Sequence, residues 1–313
     1  MKRGKKIFPS GCHLRIRFQK VWTTMESFLI VEDKVNEVWL SVYNQFRGNG
    51  IILYVVVPQF LMISMYWIVG VLFSIVDFTG KPHFISKYRV PDPTANSIPR
   101  ITTKRLLEVI FQVACNQFIV GSLLFLSIYS FKKHTTNTQG FVPLRIQRFF
   151  GEILFAIIAE EILFYYLHRI LHHRSLYKHF HKKHHEFTSP IAISAIYCHP
   201  VEHVLSNLLP VLAPWILINA HVLSIWTWVT LTSPLGVMLH SGYHLPLAQP
   251  PEFHHYHHMK FNENYGILGF LDWFHETDKE YRKSEWYERA VFLIPADTTN
   301  IINYIRLFWK LRY

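Results

Sequence analysis

The amino-acid sequence predicts an all-α integral membrane protein, with about four transmembrane helices and a histidine-rich helical domain on the cytosolic face. Three observations predict it. Half of the residues are hydrophobic and only 17% are charged, yet the formal charge is +11. Long apolar runs recur with basic residues beside them, the pattern of a chain that crosses lipid. Sixteen of the twenty histidines fall between His168 and His258, most of them in short boxes.

The elements follow in order. Residues 1–50 form a basic segment in which Lys2, Arg3, Lys5, Lys6, Arg15, Arg17 and Lys20 stand well before the first long apolar run. That layout is not the one of a cleaved secretory signal, and basic residues set beside spans are not a nucleic-acid arm. The run Ile51 to Phe78 carries no charge before Asp77. It exceeds the roughly 20 residues that cross hydrocarbon, Pro58 and Gln59 notwithstanding. A second run, Leu106 to Phe131, holds Glu108, Asn116 and Gln117, but Phe118 to Tyr129 is nearly all apolar and returns the chain. Residues 51–131 are thus expected to be a transmembrane pair.

Phe149 to Leu171 is also apolar but contains Glu152, Glu160 and Glu161. Unpaired carboxylates in lipid cost several kcal/mol, so this helix is expected partly in the interface or inside the protein, its acidic face toward the histidines. Val204 to Leu239 is long enough for two short spans, bent or divided by Pro210, Pro214 and Asn219. This arithmetic places every histidine box on one side. The basic N-terminus, with Arg169, Arg174, Lys178, Lys182 and Lys183 around the second box, assigns both to the cytosol. The loop with Lys81, Lys87, Arg89, Arg100, Lys104 and Arg105 is basic as well. Residues 149–278 form the histidine-box domain and 279–313 a tail.

The boxes read His168-x3-His172-His173, His181-x2-His184-His185, His240-x3-His244 and His254-x2-His257-His258. Histidines three or four apart on a helix project from one face, so each box offers converging ligands. About ten nitrogens exceed the ~4 ligands of tetrahedral zinc and the ~6 of an octahedral ion, so two metals fit better than one. The cysteines, Cys12, Cys115 and Cys198, are scattered and supply neither a disulfide framework nor a sulfur site. An all-imidazole shell suits an oxygen-activating iron pair, because a thiolate would itself be oxidised, though the donor type alone leaves zinc open.

No Gly-x-Gly-x-x-Gly, phosphate loop, Gly-x-Ser-x-Gly elbow or His-Glu-x-x-His occurs, so nucleotide and serine-hydrolase chemistry lose support. Nor is there a haem-attachment Cys-x-x-Cys-His or a nicotinamide fingerprint. Reducing equivalents would therefore come from a partner, and the basic face at Lys178, Lys182 and Lys183 suits an acidic carrier.

Several residues carry blander readings. His173, His179 and His255 fit a surface or supporting role as well as ligation. His199 and His203 repeat the four-residue spacing but open the apolar hairpin. Glu160, Glu161 and Asp272 fit either a role in holding ligands or a helix-cap or ion-pair role. His221 and His275 read as structural, and Trp215, Trp226 and Trp228 as packing or interfacial aromatics.

The stretch His168-Arg-Ile-Leu-His172-His173 through Tyr177-Lys-His-Phe-His181-Lys-Lys-His184-His185-Glu-Phe opens an ordered set of motifs. It continues with Cys198-His-Pro, His240-Ser-Gly-Tyr-His244 and Pro251-Glu-Phe-His254-His-Tyr-His257-His258, then Asn264-Tyr-Gly266 and Leu271-Asp-Trp-Phe-His275-Glu-Thr-Asp278. Together these resemble the fatty acid hydroxylase and sterol desaturase superfamily over Phe149 to Asp278. The resemblance implies a membrane-bound non-haem enzyme with two Fe ions, resident in the endoplasmic reticulum and fed electrons by cytochrome b5 or its reductase. It implies a lipid substrate, in this branch the C4 methyl of a sterol intermediate, with fatty acid or sphingolipid hydroxylation or desaturation as the alternative. As metal ligands it implies His168, His172, His181, His184, His185, His240, His244, His254, His257 and His258. Relatives often carry aspartate at position 255 and glycine at 276, and methylsterol monooxygenases often carry aspartate at 244. Two further readings stand beside the enzyme: a zinc or copper store, disfavoured by spans without an ion path, and a scaffold or signalling protein that keeps metal for folding.

Overall fold

The computed structural model describes residues 12–90, 101–135, 140–246 and 248–292, with residues 12–28, 135, 291 and 292 as backbone alone. The basic side chains from Lys2 to Lys20, Arg100 and the tail beyond Phe292 lie outside the described residues. Helix α1 runs Cys12–Gln45. Among the described residues four helices are long and apolar enough to cross a membrane: α2 (Ile52–Thr79), α3 (Thr103–His134), α5 (Pro200–Ile218) and α6 (Val222–Ser241). Between them runs α4 (Ile146–Leu171), and after them come α7 (Glu252–Lys260) and α8 (Phe270–His275). Among the described residues no strand forms; Arg89 and Tyr243 make one isolated bridge.

The expected hairpin within 204–239 is divided where Asn219 takes the left-handed conformation, φ 52°, and stops α5. His221 then caps α6 by accepting from the Leu223 amide. Polar residues inside the spans are cross-links. Gln59 Nε2 donates to Gln117 O at 3.0 Å, the Trp67 indole donates to Gln117 Oε1 at 2.8 Å, and Asn116 Nδ2 donates to Ile196 O and Cys198 O. In lipid such bonds remove polar groups that nothing else would satisfy. The apolar side chains sort by face. Tyr66, Phe73, Val109, Val113, Val237 and Tyr243 pack inward, while Phe60, Leu72, Phe111, Phe118, Leu123 and Leu231 are exposed where acyl chains would cover them. α2 packs closely on the 192–194 turn: a Cβ at Gly70 would meet Ile193 Cγ2 at 3.0 Å, and Val237 of α6 at 4.0 Å.

Of the two courses expected of α4, partly in the interface or inside the protein, its inward-turned Glu152 and Glu161 fit the second. At one end the Ile146 amide donates to Glu32, Arg148 donates to Asn219 O, and Glu152 accepts from the His221 amide. At the other end lies the first histidine box. Its 26 residues thus run ~39 Å at 1.5 Å per residue, from the α5–α6 turn to the histidines. Phe150, Leu154, Ile158 and Ile162 form its exposed stripe, and Glu152 and Glu161 turn inward, so an outward apolar face coexists with acidic residues. As a result the boxes gather at one end of the bundle, as expected, but at the end opposite the Glu32–Gln45 portion of α1. The loop after α2 sits at the box end too, where the Val90 amide donates to Gly242 O and Arg89 pairs with Asp77 and Tyr243.

Candidate metal centre

Nine ring nitrogens gather in two groups. His168, His172, His181, His185 and His257 form one; His184, His240, His254 and His258 form the other. The groups interlock along the chain. His184 lies between His181 and His185 in sequence but belongs to the second group, and His257 lies between His254 and His258 but belongs to the first.

Within the five-nitrogen group neighbouring Nε2 atoms are 2.8 Å (His172–His181), 3.0 Å (His181–His185), 3.1 Å (His172–His257) and 3.2 Å (His168–His181) apart. In the other they are 2.9 Å (His240–His254), 3.1 Å (His254–His258) and 3.3 Å (His184–His240). Metal–nitrogen bonds of ~2.1 Å put right-angle neighbours ~3.0 Å apart and tetrahedral neighbours ~3.4 Å apart, so these spacings match the edges of a coordination shell.

The rings can be shown to present lone pairs. His168 Nδ1 donates to Tyr265 O at 2.7 Å, His257 Nδ1 to Glu263 O at 2.6 Å, His258 Nδ1 to Phe187 O at 3.0 Å and His240 Nδ1 to Gly236 O at 2.8 Å. His181 Nδ1 donates to Glu202 Oε1 at 2.8 Å. A neutral imidazole whose Nδ1 donates has a bare Nε2. Burial, followed by the neighbouring rings, drives His181, His184, His185, His254 and His258 well below the usual imidazole range, so extra protons do not separate these lone pairs. Bare nitrogens about 3 Å apart repel unless a cation lies among them. The residues fit metal ions, one in each group.

The carbonyls that fix His168 and His257 belong to one loop, and two acids hold it. Asp272 accepts from the Tyr265 amide and the Gly266 amide, each at 2.7 Å, and Glu161 Oε2 accepts from the Ile267 and Leu268 amides at 3.1 and 2.8 Å. Burial pushes the Asp272 carboxyl up to about 6, against the pull of its hydrogen bonds. Gly266 is needed here: a Cβ would lie 2.7 Å from Asp272 Oδ2 and 3.0 Å from Glu161 Oε1. Glu161 and Asp272 therefore have the ligand-holding role considered from sequence, one step removed from the rings. Glu202 and Glu252 were missed. Their only sequence signal is an acid beside a histidine box or at the mouth of an apolar span.

His244 stands apart from the other residues implied as ligands. It is buried, its Nδ1 meets Glu252 Oε1 at 2.9 Å, its amide donates to Tyr88 O, and it joins neither group. His173 and His199 cap short helices and His179 is exposed. His255 lies against Gly242, whose added Cβ would meet its ring at 3.2 Å. His275 stacks on Tyr165, and Trp215 packs against Trp228.

A cavity of about 130 Å³ opens onto both groups, touching His168, His181, His184, His240 and His254. Met62, Leu208, Val211, Leu235 and Val237 line its apolar remainder, and His203 and Glu160 face it.

Fold and site define a class: a helical membrane protein with two histidine-only metal groups beside an apolar cavity. The chain belongs to the fatty acid hydroxylase family. The family's model matches residues 153–277. Fatty acid hydroxylase domain-containing protein 2 of Homo sapiens is 37% identical over 256 residues, 82% of this chain and 76% of that protein. Methylsterol monooxygenase 2-2 of Arabidopsis thaliana is 30% identical over 70% of this chain and 84% of its own length. Very-long-chain aldehyde decarbonylase GL1-8 of Oryza sativa subsp. indica is 36% identical over 44% of this chain and 56% of its own length. No solved structure matches.

Proposed function

We propose that this protein is an oxygen-dependent lipid monooxygenase with two iron ions, and that its substrate is a C4-methyl sterol intermediate of sterol biosynthesis. The observation that carries this reading is the opening of both nitrogen groups onto an apolar cavity between spans. Five donors at near right-angle spacing exceed what tetrahedral zinc takes, and imidazole without sulfur withstands oxidants. Iron bound there would supply the chemistry that inserts one oxygen atom of dioxygen into a C–H bond, the other atom leaving as water with two electrons from a donor and two protons from solvent.

The chain's own part is to orient and exclude. Backbone carbonyls and Glu202 fix the ring tautomers, the 263–268 loop closes one flank, and apolar walls keep water from the reacting carbon. His244, paired with Glu252, is the remaining proposed ligand of the family set. The reading further assigns the protein to the endoplasmic reticulum membrane, with the boxes in the cytosol. Lys81, Lys87, Lys104, Lys178 and Lys182 at the box end agree with that side, and cytochrome b5 or its reductase is the donor it implies.

The test is metal analysis of the chain purified in detergent beside His184→Ala, followed by incubation with a 4,4-dimethyl sterol, oxygen and a reducing system. About two irons per chain and an oxidised C4 methyl are expected, both lost in the variant. Zinc in the native protein, or a folded protein without metal, would replace this reading with a store or a scaffold.

A further inference from the structure

Among the described cavity residues Glu202 Oε2 and His184 Nδ1 each lack a partner, and one ring lacks partners at both nitrogens. Most others use their hydrogen-bonding capacity on the protein itself: Tyr66 Oη donates to Ile193 O at 2.8 Å, Ser233 Oγ to Met62 O at 2.7 Å and Thr232 Oγ1 to Trp228 O at 3.1 Å. Gln117 Oε1 accepts from Trp67. His203 differs. It is 2% exposed, lines the cavity, belongs to neither nitrogen group, and neither of its ring nitrogens has a partner. A neutral imidazole buried with both nitrogens unmade is costly unless a ligand supplies what is missing.

The chemistry of that ligand is constrained. The described cavity lining includes Glu160 and Glu202 but no lysine or arginine. A lipid carboxylate or phosphate would enter beside acids with no cation to meet it. A hydroxyl is neutral and both donates and accepts, which matches an imidazole in either tautomer. His203 follows Glu202, whose Oε1 holds His181 Nδ1 at 2.8 Å, and consecutive Cα atoms are ~3.8 Å apart. His203 also lines the same cavity as His168 and His181, so a group anchored at His203 shares that cavity with the five-nitrogen group.

We propose that His203 is the hydrogen-bonding anchor for the hydroxyl of a neutral lipid alcohol, and that the cavity selects such alcohols over free fatty acids. The proposal rests on the reading of the cavity as the lipid site. It concerns recognition and not turnover.

The experiment measures equilibrium binding to the metal-loaded, detergent-purified protein. The ligands are a 4,4-dimethyl sterol, the same sterol with its hydroxyl replaced by hydrogen, and oleate. Wild type should bind the alcohol about tenfold more tightly than either of the others, the factor worth one good hydrogen bond. His203→Leu should bind the alcohol and the deoxy compound alike, and His203→Gln, which keeps a donor and an acceptor, should retain most of the preference. Both variants should hold the wild-type complement of metal.

Equal binding of alcohol and deoxy compound by wild type, oleate bound as tightly as the alcohol, or loss of metal from either variant would overturn the proposal. Failure of the oxygenase reading registers separately, as preferential binding of the alcohol without turnover.

Discussion

Replacing Gly266 with alanine tests the link between the 263–268 loop and the metal centre. The added Cβ would stand 2.7 Å from Asp272 Oδ2, where ordinary contact begins at 3.4 Å, so one side must give by about 0.7 Å. It would also lie 3.0 Å from Glu161 Oε1. The two acids are the loop's anchors, and both are buried, so neither can swing into solvent. The loop must shift, carrying Tyr265 O away from His168 Nδ1 and Glu263 O away from His257 Nδ1. Overpacking of this kind costs about 1–3 kcal/mol. If the strain falls on the ligands, metal affinity drops roughly 5- to 150-fold. Chelator competition on the purified protein measures that affinity, and a thermal melt reports the loss in stability. Wild-type affinity with an unchanged melting temperature would refute the account of the loop as the support of these rings.

Two further outcomes follow from neighbouring histidines and from surface charge. His254→Ala should lose metal while His255→Ala keeps it within about twofold, because only His254 faces a nitrogen group; supporting residues are expected to matter less than ligands. Elemental analysis of the pair decides, and equal loss from both would move position 255 into the centre. Lys178 and Lys182 are exposed at the box end, whereas Lys183 is tied to Gln112. Lys178→Glu with Lys182→Glu should raise the apparent KM for an acidic electron carrier, the more so at low salt, with metal content unchanged. A KM insensitive to both charge and salt would remove this surface from the carrier's path.

The spans were legible because run length against bilayer thickness is a one-dimensional property, and the boxes because three- and four-residue spacing survives into the fold. What decided the rest was tertiary. Whether His184 sides with His181 or with His240 depends on how α6 and α7 approach the second box, which spacing does not encode. The tautomers depend on the carbonyls of Phe187, Gly236, Glu263 and Tyr265, and a carbonyl is the same in every residue type. The choice between the two courses expected of α4 turned on how Glu152 is paired. The fold gives it Arg148 at 2.7 Å and the His221 amide, a partner 69 residues away. His203 had the spacing of a ligand, and only its position against the cavity separates it from the boxes.

The interlocking of the boxes has a thermodynamic outcome. Were both groups to hold ions, an ion in one would fix backbone that the other also uses, because His184 and His185 share a turn three residues after His181, and His257 shares a helix with His254 and His258. The second ion would then meet a site whose ordering has already occurred, and by linkage each ion would raise the affinity of the other. Cooperative loading is the expected outcome of that linkage. When metal is scarce, such molecules divide into filled and empty populations, with few holding a single ion, so scarcity changes the number of complete centres and not their composition.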